Sequence, residues 1–217
     1  MDAILLILCH PNSKSFNHAV AAAVASALEQ RGHSVLFHDL YAERFDPVLD
    51  FGELRRRFSF DDLIQRHYKD LEAADGIVFV HPEWWSQPPA MLKGWIDRVI
   101  GPGIGYEFEG EEFMPKEKIP LLTGKRALVL ATTDAEPPTS GSQETPIGRE
   151  PADTSKGGTV QRRTDDPLLA LLWKETFAYC GIDDVTFRML FAARSIEPAE
   201  RREWLERSAE LACELFS

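Results

Sequence analysis

Apolar residues are distributed along this chain in five short runs separated by longer stretches of helical period. Ala3–Cys9, Gly76–Val80 and Ala127–Ala131 are apolar almost without interruption, the pattern of central parallel strands covered on both faces. His33–Asp39 alternates Val35 and Phe37 with more polar neighbours, as an edge strand does, and Val185–Ala193 supplies a fifth run. Between them, Phe16, Val20, Ala23, Ala27 and Leu28 recur at helical spacing up to Gly32, which stops the helix. The charge-rich segment 51–74 carries Leu63, Ile64, His67 and Leu71 at helical spacing and reads as one crossover helix, with His67 and the Arg55-Arg56-Arg57 cluster on its solvated side. Met91, Leu92, Trp95, Ile96 and Val99 follow Pro88-Pro89, which suit only a first helical turn. Two further helices start at Pro167 and near Pro198, the first closed by Cys180-Gly181. Strands alternating with helices, joined by right-handed crossovers, predict one α/β domain over 1–217, a doubly wound five-stranded parallel sheet in the order 2-1-3-4-5. Residues 134–166 are rich in Pro, Gly, Ser and Thr with no sustained period, and are expected to form a lid or a disordered loop.

That strand order brings three polar loops to one edge of the sheet, at the carboxyl ends where open α/β sheets bind ligands. The first runs from His10 to Asn17; it has no G-x-G-x-x-G and no Walker glycines but offers hydroxyls and amides at a helix start. Ser13, Ser15 and Asn17 there suit either an ordinary N-cap or a phosphate held by free backbone N–H groups. The second loop, Pro82 to Ser86, places Trp84 and Trp85 side by side. Two large rings on such a loop either pack on the sheet edge or await a flat ligand or partner. The third loop is Thr132-Thr133-Asp134. A glycine-rich stretch, Gly101–Gly105, leads to Tyr106 and Phe108 and is expected to be a mobile loop.

Charge and composition narrow the function classes. The 217 residues are 44% hydrophobic and carry a formal net charge of −11, which repels polyanions and argues against nucleic-acid partners. Cys9, Cys180 and Cys213 are odd in number, widely spaced and set among apolar residues, so neither a disulfide framework nor a metal site is expected. The N-terminal apolar run lacks a basic leader and is too short to span a bilayer; a cytoplasmic protein without a membrane span is the expectation.

The stretch HPEWWSQPPAMLKGWIDRV resembles the signature loop and helix of the DT-diaphorase-like flavoenzymes, the flavodoxin-fold NAD(P)H:quinone oxidoreductases, whose pattern is close to Pro-x-Trp-Trp-x-x-Pro-Pro-Ala-x-Leu-Lys-Gly-Trp-x-Asp-Arg. His10, the triplet Ser15-Phe16-Asn17 and the stretch Leu40-Tyr41…Phe45-Asp46-Pro47 are similar to that family as well. The resemblance implies a flavodoxin-like fold and a flavin, FMN or FAD, with the absence of a longer C-terminal region favouring FMN. It implies NADPH or NADH as reductant, a small-molecule acceptor such as a quinone, and two-electron hydride transfer. It implies that His10, Ser15, Phe16 and Asn17 hold the flavin phosphate, that the Pro82-Glu83-Trp84-Trp85 loop meets the flavin through its amides and an aromatic wall, and that Thr132, Thr133 and Asp134 face the ring or ribityl side. Trp85 and Tyr106 are the expected substrate-pocket residues. Glu83 is expected to point outward, because its carboxylate facing a reduced ring would oppose the charge there. A homodimer follows from Trp84 and Trp95 and from the family's pocket built across two subunits.

The chain departs from the family where Asp134-Ala135 replace Gly-Gly after the threonine pair, and where 134–166 contain neither the Tyr nor the His of the related enzymes. No catalytic side chain is therefore assigned; Arg162 and Arg163 are candidates for a nicotinamide phosphate. A flavodoxin-type electron carrier, a flavin-bound regulatory subunit and a flavin-free binding module are the alternatives.

Overall fold

The computed structural model describes residues 2–110, 117–135, 167–191 and 193–217. Arg162, Arg163 and most of the expected 134–166 lid lie outside these residues. Five parallel strands form the main sheet: β1 (Ala3–Leu8), β2 (Ser34–Asp39), β3 (Gly76–Pro82), β6 (Arg126–Thr132) and β7 (Asp184–Leu190). Their order is β2-β1-β3-β6-β7, the expected 2-1-3-4-5 once a small antiparallel hairpin, β4 (Tyr106–Glu109) and β5 (Glu117–Pro120), is set aside. The hairpin corrects the expectation of a mobile loop around Tyr106. β3 also runs further than its apolar pattern indicates, keeping register with β6 through Pro82 opposite Thr132.

Alternation along the central strands sends side chains to two cores. Leu5, Ile7, Ile77, Phe79, Ala127 and Val129 pack under α3 (Asp62–Ala73), α4 (Ala90–Val99) and α5 (Pro167–Tyr179). Ile4, Leu6, Val78, Val80, Leu128 and Leu130 face α1 (Phe16–Gln30) and α6 (Pro198–Leu215). Burial on both faces explains why these strands read as unbroken apolar runs. Burial pushes the Cys9 thiol up to about 12 and the Cys180 thiol up to about 11, as expected of inert core cysteines.

The single crossover helix predicted over 51–74 is two helices, α2 (Phe51–Arg56) and α3, broken where Arg57 turns left-handed at φ 57°. Glu53 is drawn under the break by Arg98, whose Nε and Nη2 donate to it at 2.9 and 2.5 Å, and by the Ser59 hydroxyl. Asp61 then caps α3 by accepting the Leu63 amide at 2.8 Å. His67 is not on the solvated side that the helix pattern predicts for it. It is fully buried, its Nδ1 accepting the Trp95 indole N–H at 3.0 Å, and its place among Leu63, Ile64 and Leu71 explains why. Trp95 is likewise wholly buried, so it cannot contribute to a dimer surface. Gly94 lets α4 approach the Asp46-Pro47 turn: a Cβ there would lie 2.3 Å from the Pro47 carbonyl oxygen. Arg98 ties the same turn, donating to the Asp46 carbonyl at 2.6 Å.

Candidate functional site

At the carboxyl edge of β1 the chain winds into α1 through a loop braced from within. The His10 Nδ1 accepts the Asn12 amide at 3.0 Å, Asn12 Oδ1 accepts the Lys14 amide at 3.0 Å, and the Ser15 amide donates to the Asn12 carbonyl at 3.0 Å. Burial holds the His10 imidazole below its ordinary pKa. Ser15 is the N-cap of α1, and the first amides of the helix, those of Phe16 and Asn17, have no partner within an α-helix. Asn17 is buried with its Nδ2 donating to Thr132 Oγ1 at 2.9 Å, while its Oδ1 has no hydrogen-bond partner. Since a threonine hydroxyl donates or accepts, Asn17 can sit in either amide orientation, presenting the cavity with an acceptor or a donor.

At the end of β3 the loop folds into a tight turn. The amide of Trp84 donates to the Gln87 carbonyl at 3.0 Å and the amide of Gln87 returns to the Trp84 carbonyl at 3.1 Å. Trp85 and Ser86 between them both have positive φ, 55° and 59°, the conformation of a type I′ turn. Such a turn favours Asn and Gly; an L residue in the left-handed region costs about 1–2 kcal/mol. The result is an indole 95% exposed at the tip, with Trp84 42% exposed beside it. Glu83 does not point outward as expected. It is buried, its Oε1 accepting the Ser86 amide at 2.7 Å and its Oε2 the Thr133 hydroxyl at 2.7 Å. Two hydrogen bonds to an acid in one turn outweigh its tendency to seek water. With the Glu83 amide on the Thr132 carbonyl at 2.7 Å, most of the amides expected to meet a flavin are engaged inside the loop. Among the described residues the Trp85 amide remains.

These pieces meet in one cavity of about 240 Å³, lined by His10, Ser15, Phe16, Asn17, Pro82, Glu83, Trp84, Thr132, Thr133 and Asp134 together with Asn12, Ala193 and Arg194. Trp85 borders an adjoining hollow that shares Glu83, Trp84, Thr133 and Asp134. All of the residues expected around a cofactor are thus at one edge. Tyr106 is not. It lines a separate groove with Tyr68, Ile96 and Arg98, and packs edge-on against Tyr179 at 4.9 Å, so a single chain does not unite it with Trp85. Of the lining residues not expected, Asn12 belongs to the loop after β1, and Ala193 and Arg194 follow β7, whose carboxyl end lies beside that of β6 in the predicted order; that adjacency was the available signal. Arg194 pairs with Asp134 at 3.0 Å across this end.

Comparison with known proteins agrees with the fold. A sequence model of the flavodoxin-like fold matches residues 2–150. A protein of Haemophilus influenzae described as an uncharacterized NAD(P)H oxidoreductase is 31% identical over 209 residues, 95% of this chain and 92% of its own. Rat NAD(P)H dehydrogenase [quinone] 1 is 32% identical over 123 residues, which cover 48% of this chain but only 45% of the rat enzyme. Among solved structures, Smu.1420 of Streptococcus mutans superposes with a TM-score of 0.73 at 28% identity, over 97% of this chain and 98% of that one. No described helix is long and apolar enough to cross a membrane. By the family match over most of its length, and by a sheet whose strand order agrees with it, the chain belongs to the flavodoxin-like fold family.

Proposed function

We propose that this protein is a flavin-dependent NAD(P)H oxidoreductase that reduces quinones or similar planar aromatic acceptors by two-electron hydride transfer, with FMN as its flavin and NADPH or NADH as reductant. The observation that carries the reading is the meeting, at one sheet edge, of a helix N-terminus, a buried Asn17 oxygen without a partner and a strained turn that holds Trp85 in the open. The oxidoreductase and quinone dehydrogenase names of the relatives support it.

The donor set fits a phosphorylated flavin. The α1 amides and dipole take the phosphate, and Asn17 answers a ribityl hydroxyl or a phosphate oxygen according to its amide orientation. When bound, the flavin supplies the hydride-transferring ring. The chain's own work is positioning: Thr132 and Thr133 floor the cavity, Trp84 walls it, and Trp85 offers a face to a flat acceptor. Glu83 holds the turn, and its charge is balanced by the donors of Ser86 and Thr133.

A homodimer completes the reading. Val48, Phe51, Leu54, Phe58 and Phe60 are all exposed along one segment, and Leu54 and Phe58 also line the groove that contains Tyr106, apolar surface of the kind that marks an interface. Sedimentation of a fully active monomer at micromolar concentration would remove this part. The main test is the visible spectrum of the purified protein before and after anaerobic NADPH and then a quinone. Flavin bands that bleach and return are expected, and a protein that neither retains nor rebinds flavin would sink the reading.

A further inference from the structure

His18 does not line the cavity, yet its ring joins two groups that bear on it. Its Nδ1 lies 2.9 Å from Ser15 Oγ and its Nε2 lies 3.1 Å from Asp39 Oδ2. Asp39 ends β2, and its other oxygen accepts the amides of Tyr41 and Ala42, each at 3.1 Å, so the carboxylate is fixed as an acceptor. Nε2 therefore carries the hydrogen of the neutral ring, and Nδ1 is left to accept the Ser15 hydroxyl proton. Ser15 Oγ meanwhile faces the His18 amide at 3.4 Å as the helix cap. The Ser15 hydroxyl proton is thus turned away from the cavity.

A phosphate held by the α1 amides would gain a further charge-assisted hydrogen bond from that proton. If Ser15 rotates to donate to a phosphate oxygen, Nδ1 loses its donor in a side chain only 19% exposed. A proton from solvent on Nδ1 restores the contact as N–H donating to Ser15 Oγ, and leaves an imidazolium between Asp39 and the phosphate. We propose that Asp39, His18 and Ser15 form a proton-coupled relay for the phosphate of the flavin, in which His18 is a positioning residue that takes up one proton as a phosphate monoester binds and so selects FMN over riboflavin. The proposal rests on the flavin reading above. Other charged groups face this corner from each neighbouring element. His10, from the loop after β1, meets the His18 ring edge-on at 6.4 Å. Lys14 precedes Ser15, Arg194 pairs with Asp134 beyond β7 and β6, and Arg201 of α6 lies 5.5 Å from the Phe16 ring. Asp39 is the carboxylate that faces His18 directly.

The test titrates the deflavinated full-length protein with FMN and with riboflavin between pH 7 and 9, where the FMN phosphate stays dianionic because its second pKa is about 6. Calorimetry in two buffers of different ionisation enthalpy counts the protons taken up. For the wild type, FMN affinity should fall with pH by up to about tenfold per unit while riboflavin affinity stays level. His18→Phe should weaken FMN at least about tenfold, leave riboflavin unchanged and flatten the pH profile. Asp39→Asn reverses the tautomer, since the new amide donates to Nε2 and places the hydrogen on Nδ1 without uptake. FMN should then bind with no proton uptake and a level profile, which loss of packing alone would not produce. An unchanged FMN-to-riboflavin ratio in His18→Phe, or proton uptake that persists in Asp39→Asn, overturns the relay. Should His18→Phe fail to fold, the Asp39→Asn proton count decides. A wild type that binds neither flavin removes the flavin reading and the relay with it, whereas one that binds both equally, with no pH difference, removes the relay alone.

Discussion

Adjacent residues at the end of β2, His38 and Asp39, point to opposite faces of the sheet and enter two clusters of nearly the same composition. On the α3 side His38 lies between Glu43 and Asp70, with each ring nitrogen 2.9 Å from a carboxylate oxygen. His67 stacks on it at 3.9 Å and receives the Trp95 indole, and Arg66 adds a charge to Glu43 at 2.8 Å. His67 Nε2 and Glu43 Oε2 face each other at 3.2 Å, off the line of a good hydrogen bond. Both His38 nitrogens already face carboxylates and His67 Nδ1 holds the Trp95 indole N–H, which disfavours a metal among His38, Glu43 and His67 although their ligand atoms are close. This cluster ends on itself. On the α1 side the chain from Asp39 through His18 ends instead on a hydroxyl in a cavity wall. The contrast is between histidines and carboxylates that satisfy one another and a chain of the same groups that ends at a cavity, and the proposed ligand site is assigned to the second.

The largest effect should come from opening the closed cluster. Glu43→Ala removes the carboxylate shared by His38, His67 and Arg66, and should lower unfolding free energy by about 3 to 5 kcal/mol with FMN affinity unchanged. Denaturant unfolding paired with flavin titration checks both halves, and a loss of flavin binding at unchanged stability would blur the distinction between the clusters.

A third histidine sharpens it through pH. His81 sits near the ligand edge but is fully buried, its Nδ1–H donating to the Pro82 carbonyl at 2.9 Å, and burial brings its pKa down from 6.5 to about 4. The unfolded chain takes up that proton below pH 6.5 while the folded one resists, so stability present at neutral pH is lost as pH falls toward 4, by about 3 kcal/mol. Burial would raise the Glu43 carboxyl, but the hydrogen bond from His38 and the His67 ring facing it outweigh that and bring it to about 2. Below pH 4.5 a second loss therefore begins. Unfolding midpoints measured across pH 4 to 7.5 should slope steeply in the wild type and less in His81→Phe.

On the open side the changes should fall on ligand binding. Asn17→Ala should weaken FMN by about tenfold to a hundredfold, the loss of about 1.5 to 3 kcal/mol of charge-assisted hydrogen bonding, read by titration; unaltered affinity would take Asn17 out of the site. Trp85→Ala should raise KM for a flat quinone more than KM for ferricyanide. Because the indole is 95% exposed at φ 55°, Trp85→Gly should raise stability by about 1 kcal/mol. A Trp85 variant that unfolds more easily would return the ring to a packing role.

Much of this was readable from residue order alone. Unbroken apolar runs at Ala3–Cys9, Gly76–Val80 and Ala127–Ala131 identify strands buried on both faces, and alternation with helices then leaves few chain paths. Once the order is known, the loops after β1, β3 and β6 must share an edge, which is why the expected cofactor residues are found together. Periodicity is a local property and suffices for these inferences. It does not say which acceptor a donor will find. The inward turn of Glu83, the burial of His67 and Trp95, the break at Arg57 and the separation of Tyr106 from Trp85 each depend on a partner distant in the chain: Thr133 for Glu83, His67 and Trp95 for one another, Arg98 for the break and Tyr179 for Tyr106. Hydrogen bonds and ion pairs are directional and short-ranged, so their pairing, and with it the difference between a closed cluster and an open one, exists only once the helices have packed on the sheet.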